Sequence, residues 1–420
     1  MPGSQTWEPA LHSSSSSNLT RMTAISFILF MSRGIMGPVS SLYAESLGAN
    51  YVAIGLLGTA ASLTAILFST VWGRASDRLR QRRVFLRLGL GVLAVSSGLM
   101  ALVPNYGYLF PLNVLGAVAT AAYSTASLAL MGDLLEEQRS GHGRRMGVYR
   151  GLGSLGFGLM AFFSGSVADR LSMRAPFYLA ALLLAVAFFL ALRVEEPAAS
   201  QPPATFNPHG TLRTRPAAAS MPQAARPGRL PLAPLLISAF LWALAIGAVY
   251  AVWGNYMVGE LGYTRAAMSR LWALASLSEF PLMILAGWLS DRIGRLPMLC
   301  LGFLAWAFVF LGYVVVPTMP WIVGIQLVRG FAYSAVVATA MVYTTEVRAK
   351  SQRGQASGLY GSAEGAGSIL GSTLGGALTQ LTNFRTMIAT NAALIFGGAI
   401  YLAVVALRRA LRPQGNPDCQ

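Results

Sequence analysis

Gly73-Arg74-Ala75-Ser76-Asp77-Arg78 and Gly287-Trp288-Leu289-Ser290-Asp291-Arg292 follow two apolar blocks and share one spacing, a glycine, three residues and then Asp-Arg. The second stretch lies about 210 residues after the first. The echo extends outward at nearly the same offset. Tyr123-Ser124 matches Tyr333-Ser334, Gly147-Val148-Tyr149 matches Gly358-Leu359-Tyr360, and Gly156 matches Gly367. Matches in one order at one offset mark an internal duplication, so whatever one half folds into, the other half folds into as well.

The material between these landmarks is apolar. The chain has 420 residues, of which 55% are hydrophobic and 11% charged, against roughly 45–50% and about 25% in soluble domains. A water-soluble fold would lack polar surface, and the 44 glycines follow no collagen-like period. Apolar blocks run at about 22–46, 52–74, 84–103, 108–132, 146–168 and 175–193, then at 231–258, 266–290, 297–316, 320–344, 356–380 and 386–408. Each suits a helix crossing of roughly 20 residues. None alternates with period two, which excludes a membrane barrel. The expected fold class is an all-α membrane protein with twelve transmembrane helices in two six-helix bundles. The expected domains are a cytoplasmic tail at 1–21, an N-terminal bundle at 22–193, a disordered cytoplasmic linker at 194–230, a C-terminal bundle at 231–408 and a second cytoplasmic tail at 409–420. The linker reading rests on its prolines, Pro197, Pro202, Pro203, Pro208, Pro216, Pro222 and Pro227.

Charge sets the orientation. One set of segments carries Arg21, the cluster Arg74, Arg78, Arg80, Arg82, Arg83 and Arg87, then Arg139, Arg144, Arg145, Arg292, Arg295, Arg348, Lys350, Arg408 and Arg409. The opposite loops and their margins hold Arg170, Arg174, Arg265, Arg270 and Arg385. Basic loops face the cytoplasm, so the sequence predicts a multi-pass protein of the inner (cytoplasmic) membrane with both termini cytoplasmic, acting as a monomer. The net charge of +16 is then read as contact with anionic membrane lipid, and no nucleic-acid partner is expected.

The segment Gly73 to Arg83 resembles the loop between spans two and three of the major facilitator superfamily, and Gly287 to Arg295, with Gly294, is similar. The first copy has Arg80 where the pattern has glycine. The resemblance implies two rocking halves around a central cavity lined by spans 1, 2, 4, 5, 7, 8, 10 and 11. It also implies gating residues, here Gly73, Asp77, Arg78, Gly287, Asp291 and Arg292. A carboxylate against the positive end of a helix in the other half latches one state, by about 0.3–1 kcal/mol on the surface. The facing ends are expected to be the start of span 11 for Asp77 and of span 5 for Asp291. The alternative is that both Asp-Arg pairs are solvated helix ends.

Charges inside the blocks single out the candidate substrate and proton site. Arg33 lies in span 1, Glu279 in span 8, Arg329 in span 10 and Glu364 in span 11, with Arg150 near an end of span 5. A charge at a helix centre costs about 2.5–3.5 kcal/mol on insertion scales, so each needs protein, water or a partner. At the repeat offset they map to Gly247, Ala65, Ala119, Gly153 and Gly361. Scaffold residues are duplicated and these charges are not, which marks them as functional. The alternative is a pair of internal braces, Glu279 with Arg329 and Glu364 with Arg33. A carboxylate whose surroundings alternate between dry and wet can take up and release a proton, so Glu279 and Glu364 are the candidate proton carriers. Asn113, Trp253 and Asn255 complete the candidate set, with Trp253 and Tyr256 open to the alternative of membrane-interface anchors.

Leu271 to Glu279 resembles the eighth span of the phenylpropionate permease, oligosaccharide and nucleoside symporter branches. Arg33 to Tyr43 resembles exporter-type members. Arg329-Gly330 resembles the superfamily's span-four signature, and Gly151, Gly153, Gly156 and Gly158 resemble the exporters' span-five signature without its Gly-Pro pair. The expected function is a secondary active transporter of a small organic solute, proton-coupled, by alternating access, with uptake and efflux both open. A non-transporting receptor or scaffold is the alternative. No phosphate-binding G-x-x-x-x-G-K motif is present, and His12, His142 and His209 all fall in tails or loops, so an ATP-driven pump and an embedded enzyme are not expected. The two cysteines are far apart in the chain, and neither a catalytic residue nor a metal or cofactor is expected.

Overall fold

The computed structural model describes residues 8–79, 81–136, 142–195, 230–316, 318–347 and 353–411. Among them the regular structure is helical. The order is α1 (Glu8–Met36), α2 (Ser40–Ser46), α3 (Tyr51–Leu79), α4 (Arg82–Met100), α5 (Leu109–Glu136), α6 (His142–Arg170) and α7 (Ala175–Ala191). The second half supplies α8 (Leu232–Asn255), α9 (Arg265–Ile293), α10 (Arg295–Val315), α11 (Met319–Glu346), α12 (Arg353–Leu381) and α13 (Phe384–Ala410). Among the described residues ten segments, α1 with α2 counted as one, are long and apolar enough to cross a membrane, and α7 is a shorter apolar helix; with α12 they make up the expected all-α architecture of two six-helix bundles. The span boundaries agree with the apolar blocks to within a few residues, with one clear exception. α1 starts at Glu8, well before residue 22, because Pro9 sits in the first turn, where a missing N–H costs nothing, and the serine run simply continues the helix. The expected linker lies almost wholly outside the described residues.

Proline and glycine place the breaks. Pro176 and Pro320 fall in first turns. Gly37-Pro38-Val39 instead interrupts the first crossing with a short 3-10 turn, because Pro38 has no N–H to continue the ladder. This break turns Ser40 and Ser41 toward the molecular interior. At the far end of α8 the chain widens into a π turn, Tyr256–Glu260. Gly294 (φ 91°) joins α9 to α10 in a left-handed conformation that a side chain would strain.

Within the first half α1 packs on α6 and α7, and α3, α4 and α5 pack together; within the second half α8 packs on α12 and α13, and α9, α10 and α11 pack together. Two pairs make the main contacts between the halves, α3 with α12 and α6 with α9, while α2 and α3 also touch α8. The two main pairs are related by the sequence repeat, so the halves meet across a pseudo-twofold axis. Outward-facing positions remain apolar, as Leu182, Phe189, Ile284 and Leu407 show. This is the surface a bilayer requires, since lipid contributes no drive to bury it.

Candidate functional site

Between the halves lies a cavity of about 370 Å³. The broken first crossing contributes Gly37, Ser40, Ser41 and Tyr43, α3 contributes Leu57 and Gly58, and α5 contributes Asn113. The second half adds Gly247 and Tyr250 from α8, Trp272 from α9 and Ser372 from α12. No charged side chain is among its lining residues. Asn113 is therefore where the sequence places it, in the wall of a central cavity.

The charged groups sit behind that wall. Arg329, 6% exposed, places its guanidinium carbon 4.7 Å from the Tyr250 ring centre and 5.2 Å from that of Trp272. The two rings facing the cavity thus carry a cation on their π systems, a contact worth up to about 2 kcal/mol when desolvated. Arg329 Nη1 donates to Gln326 Oε1 at 3.3 Å, while its Nε has no partner among the described residues. Glu279, 9% exposed, is an electrostatic neighbour of Arg329, yet the two are not within ion-pair distance. The backbone carbonyl of Glu279 accepts from Ser334 Oγ at 3.1 Å. Pro281, two residues on, removes a donor from the α9 ladder.

The brace alternative is not what the structure contains. Arg33 and Glu364 lie on different halves and are not paired. Arg33 is half-buried, with its guanidinium carbon 5.7 Å from the Phe30 ring, and Glu364 is half-buried beside Tyr360. By helical rise Glu364 lies about 12 Å from Ser372 along α12, and Glu279 about 10 Å from Trp272 along α9, both toward the basic end. Glu364 and Glu279 are therefore displaced from this cavity toward the basic end, and none of the four charges is among its lining residues. Arg150 lies among residues whose side chains are not described.

Trp253 and Asn255 occupy places that the sequence reading did not anticipate. Trp253 is fully buried and is no interface anchor. It packs edge-on against Trp272 at 5.2 Å and tilts against Tyr313 at 5.8 Å, forming a layer behind the cavity wall. Tyr256 is also buried, its hydroxyl donating to the Tyr313 carbonyl at 2.8 Å. Asn255 lies between the halves, where its Nδ2 donates to Glu45 Oε2 at 2.6 Å and its Oδ1 has no partner among the described residues. Glu45 also accepts from the Tyr51 hydroxyl at 3.2 Å. Glu45 was missed in the sequence because it stands at the end of an apolar block, where a carboxylate looks solvated.

These contacts belong to a seal at the end opposite the basic loops. Asp169, at the end of α6, caps the start of α9, its Oδ2 accepting from the Ala266 amide at 3.3 Å and its Oδ1 from Arg265 at 3.1 Å. Gln380, at the matching place in α12, accepts from the Tyr51 amide at the start of α3 at 3.2 Å. Gly165 and Gly376 are also repeat partners, and each lets backbones meet: a Cβ on Gly165 would strike the Arg265 carbonyl, and one on Gly376 the Tyr51 carbonyl. Nearer the middle Thr59 pairs with Thr373 at 2.6 Å and Ser62 with Ser368 at 3.2 Å.

Toward the basic end no hydrogen bond or ion pair among the described residues joins the halves. A Cβ on Gly73, Gly287, Gly358 or Gly361 would meet nothing within 4 Å. Among the described residues Asp291 is engaged on its own side. It accepts from Arg295 Nη1 at 2.6 Å within its own half, and Arg295 also forks onto Glu346 at 2.8 and 3.0 Å. Arg292 lies over the Trp288 ring at 3.8 Å, and Arg78 is exposed. The expected partner of Asp291, the start of span 5, lies among residues whose side chains are not described. The Asp77 side chain and Arg80 lie outside the described residues.

The family described as "MFS_1 like family" matches residues 19–389. A "putative sugar efflux transporter" of Deinococcus radiodurans is 26% identical over 382 residues, spanning 89% of this chain and 94% of that protein. The "quinolone resistance protein NorA" of Staphylococcus aureus is 26% identical over 166 residues, 40% of this chain and 42% of that protein. Among solved structures, that of the "nucleoside transporter NupG" superposes with a TM-score of 0.75 at 16% identity, covering 93% of this chain and 99% of that one. At that identity the likeness speaks for the fold.

Proposed function

This chain belongs to the MFS_1-like family, and from that premise we propose that it is a secondary active transporter. It moves a small organic solute across the cytoplasmic membrane by alternating access, coupled to protons. One observation carries the reading: a cavity between two repeat-related halves, sealed at one end by helix-to-helix contacts and unsealed at the other. A receptor has no need of a seal built from two matching pairs. If the basic end is cytoplasmic, as the arginine distribution argues, the conformation is inward-facing. The opposite one follows when α3–α12 and α6–α9 separate at the seal and the two Asp-Arg loops close, bringing Asp77 and Asp291 to the latch.

Glu279 is the proposed proton carrier. It is buried with Arg329 as its charged neighbour, so a shift of that guanidinium changes the stability of its charged form. Glu364, half-buried on the basic side, is the second candidate. Relatives named for efflux lean the direction toward export.

The test is reconstitution of the full chain in liposomes holding a pH dye, with sugars, nucleosides and aromatic drugs added under an imposed pH gradient. Solute-evoked proton movement, absent in Glu279→Gln, is the expected result. Binding without flux by any solute would establish the receptor instead.

A further inference from the structure

We infer that the cargo is an electrically neutral, ring-bearing solute with hydroxyl or amide groups, neither an anion nor a cation; this rests on the transporter reading above. Four charged groups lie at mid-depth in the chain, and from sequence alone they leave a charged cargo open. Their placement removes that option. Arg329 is held on Tyr250 and Trp272 at 4.7 and 5.2 Å, and the rings themselves form the wall. Glu279 is buried and lies about 10 Å from Trp272 along α9, toward the basic end. No residue of the described lining is charged, so a charged cargo would leave water with no counter-ion in the wall itself, and an unpaired charge is expensive to bury.

The wall that remains has two chemistries. Tyr250 and Trp272 offer aromatic area against which a flat or CH-lined ring can stack. Asn113, Ser41 and Ser372 offer donors and acceptors that are uncharged. Two further hydroxyls are already engaged, Tyr43 with the Met100 carbonyl at 2.8 Å and Ser40 with the Gly37 carbonyl at 2.8 Å. Polar recognition therefore falls on a few neutral groups beside an apolar stacking face. A pyranoside or a nucleoside has this character. Since such a cargo brings no charge, each proton that accompanies it is a net charge moved, and transport is electrogenic.

The experiment compares congeners of one ring. Purified full chain is titrated with methyl glucopyranoside, glucuronate and glucosamine, and with uridine and uridine monophosphate, reading thermal stabilisation for binding and liposome uptake for flux. In each series the neutral member is expected to bind at least tenfold more tightly than its charged congeners, about 1.4 kcal/mol. Asn113→Asp is expected to reverse the preference toward glucosamine, and membrane potential to drive uptake of the neutral member. Binding of glucuronate, glucosamine or uridine monophosphate within threefold of its neutral parent overturns the inference, as does failure of every neutral ring to bind. Neutral binding without flux would leave it standing and sink the transporter reading, and flux of a charged member would do the reverse.

Discussion

The amide of Tyr51 donates across the two halves to Gln380 Oε1 at 3.2 Å. The repeat-related contact joins the Ala266 amide to Asp169. Each is a side chain at the end of one helix satisfying a free N–H at the start of another, an uncapped position that would otherwise need water. The same two helix pairs carry glycines that bring backbones together, so seal and hinge coincide.

Substituting leucine at Gly165 or Gly376 drives a side chain into the Arg265 or Tyr51 carbonyl. Both variants are expected to insert and fold but to lose the seal. In a background with Cys300 and Cys419 replaced by serine, Ser41→Cys should react with an impermeant maleimide from the non-basic side at least tenfold faster than in the parent. Unchanged labelling would refute the assignment of these glycines to the seal.

Arg329 is held by two aromatic faces, and a planar guanidinium stacks where an ammonium does not. Arg329→Lys is therefore expected to lower transport at least tenfold with normal membrane levels, while Trp272→Phe, which keeps a ring, is expected to lower it less. Equal activity in Arg329→Lys would show that only the charge matters.

Glu279→Gln removes the proposed proton site and keeps the shape. Exchange of labelled for unlabelled solute, which needs no net proton movement, is expected to persist, whereas accumulation driven by a pH gradient is expected to vanish. Arg33→Ala is expected to lose transport while expression is retained. Loss of exchange together with accumulation in Glu279→Gln would move this residue from coupling to cargo binding.

Arg295 ties α9, α10 and α11 together through Asp291, Ser290 and Glu346. The pair with Glu346 is partly exposed, so screening leaves Arg295→Ala a cost of about 1 kcal/mol. A lower apparent Tm in detergent is expected, and the drop should shrink in Glu346→Gln, whose pairing is already weakened. Additive losses would show that the two residues do not act together.

The fold was legible in the sequence because membrane helices announce themselves by length and composition, and because duplication repeats its landmarks. Gly73 to Arg78 and Gly287 to Arg292 sufficed to divide the chain. The site was legible in part. Asn113 lies in the cavity wall as expected, and Arg329 and Glu279 are neighbours in one half. Arg329 lies against the Tyr250 and Trp272 rings and Glu279 is buried farther along α9, and neither is among the residues lining the cavity. Sequence gives the helix on which a residue lies and not which layer its side chain reaches; Trp253 and Tyr250 share a helix, yet only Tyr250 meets the cavity. Glu45 was passed over for a related reason, since its contact with Asn255 arises only when α2 and α8 approach from opposite halves.

The seal is uneven in kind. Asp169 and Arg265 form a charged clasp, 34% and 38% exposed, whereas Gln380 and Tyr51 make a neutral one. Ions in the outer medium therefore weaken one edge and leave the other untouched. The molecule resembles a double door with a magnetic catch on one leaf and a plain bolt on the other, and rising salinity releases the magnetic side first.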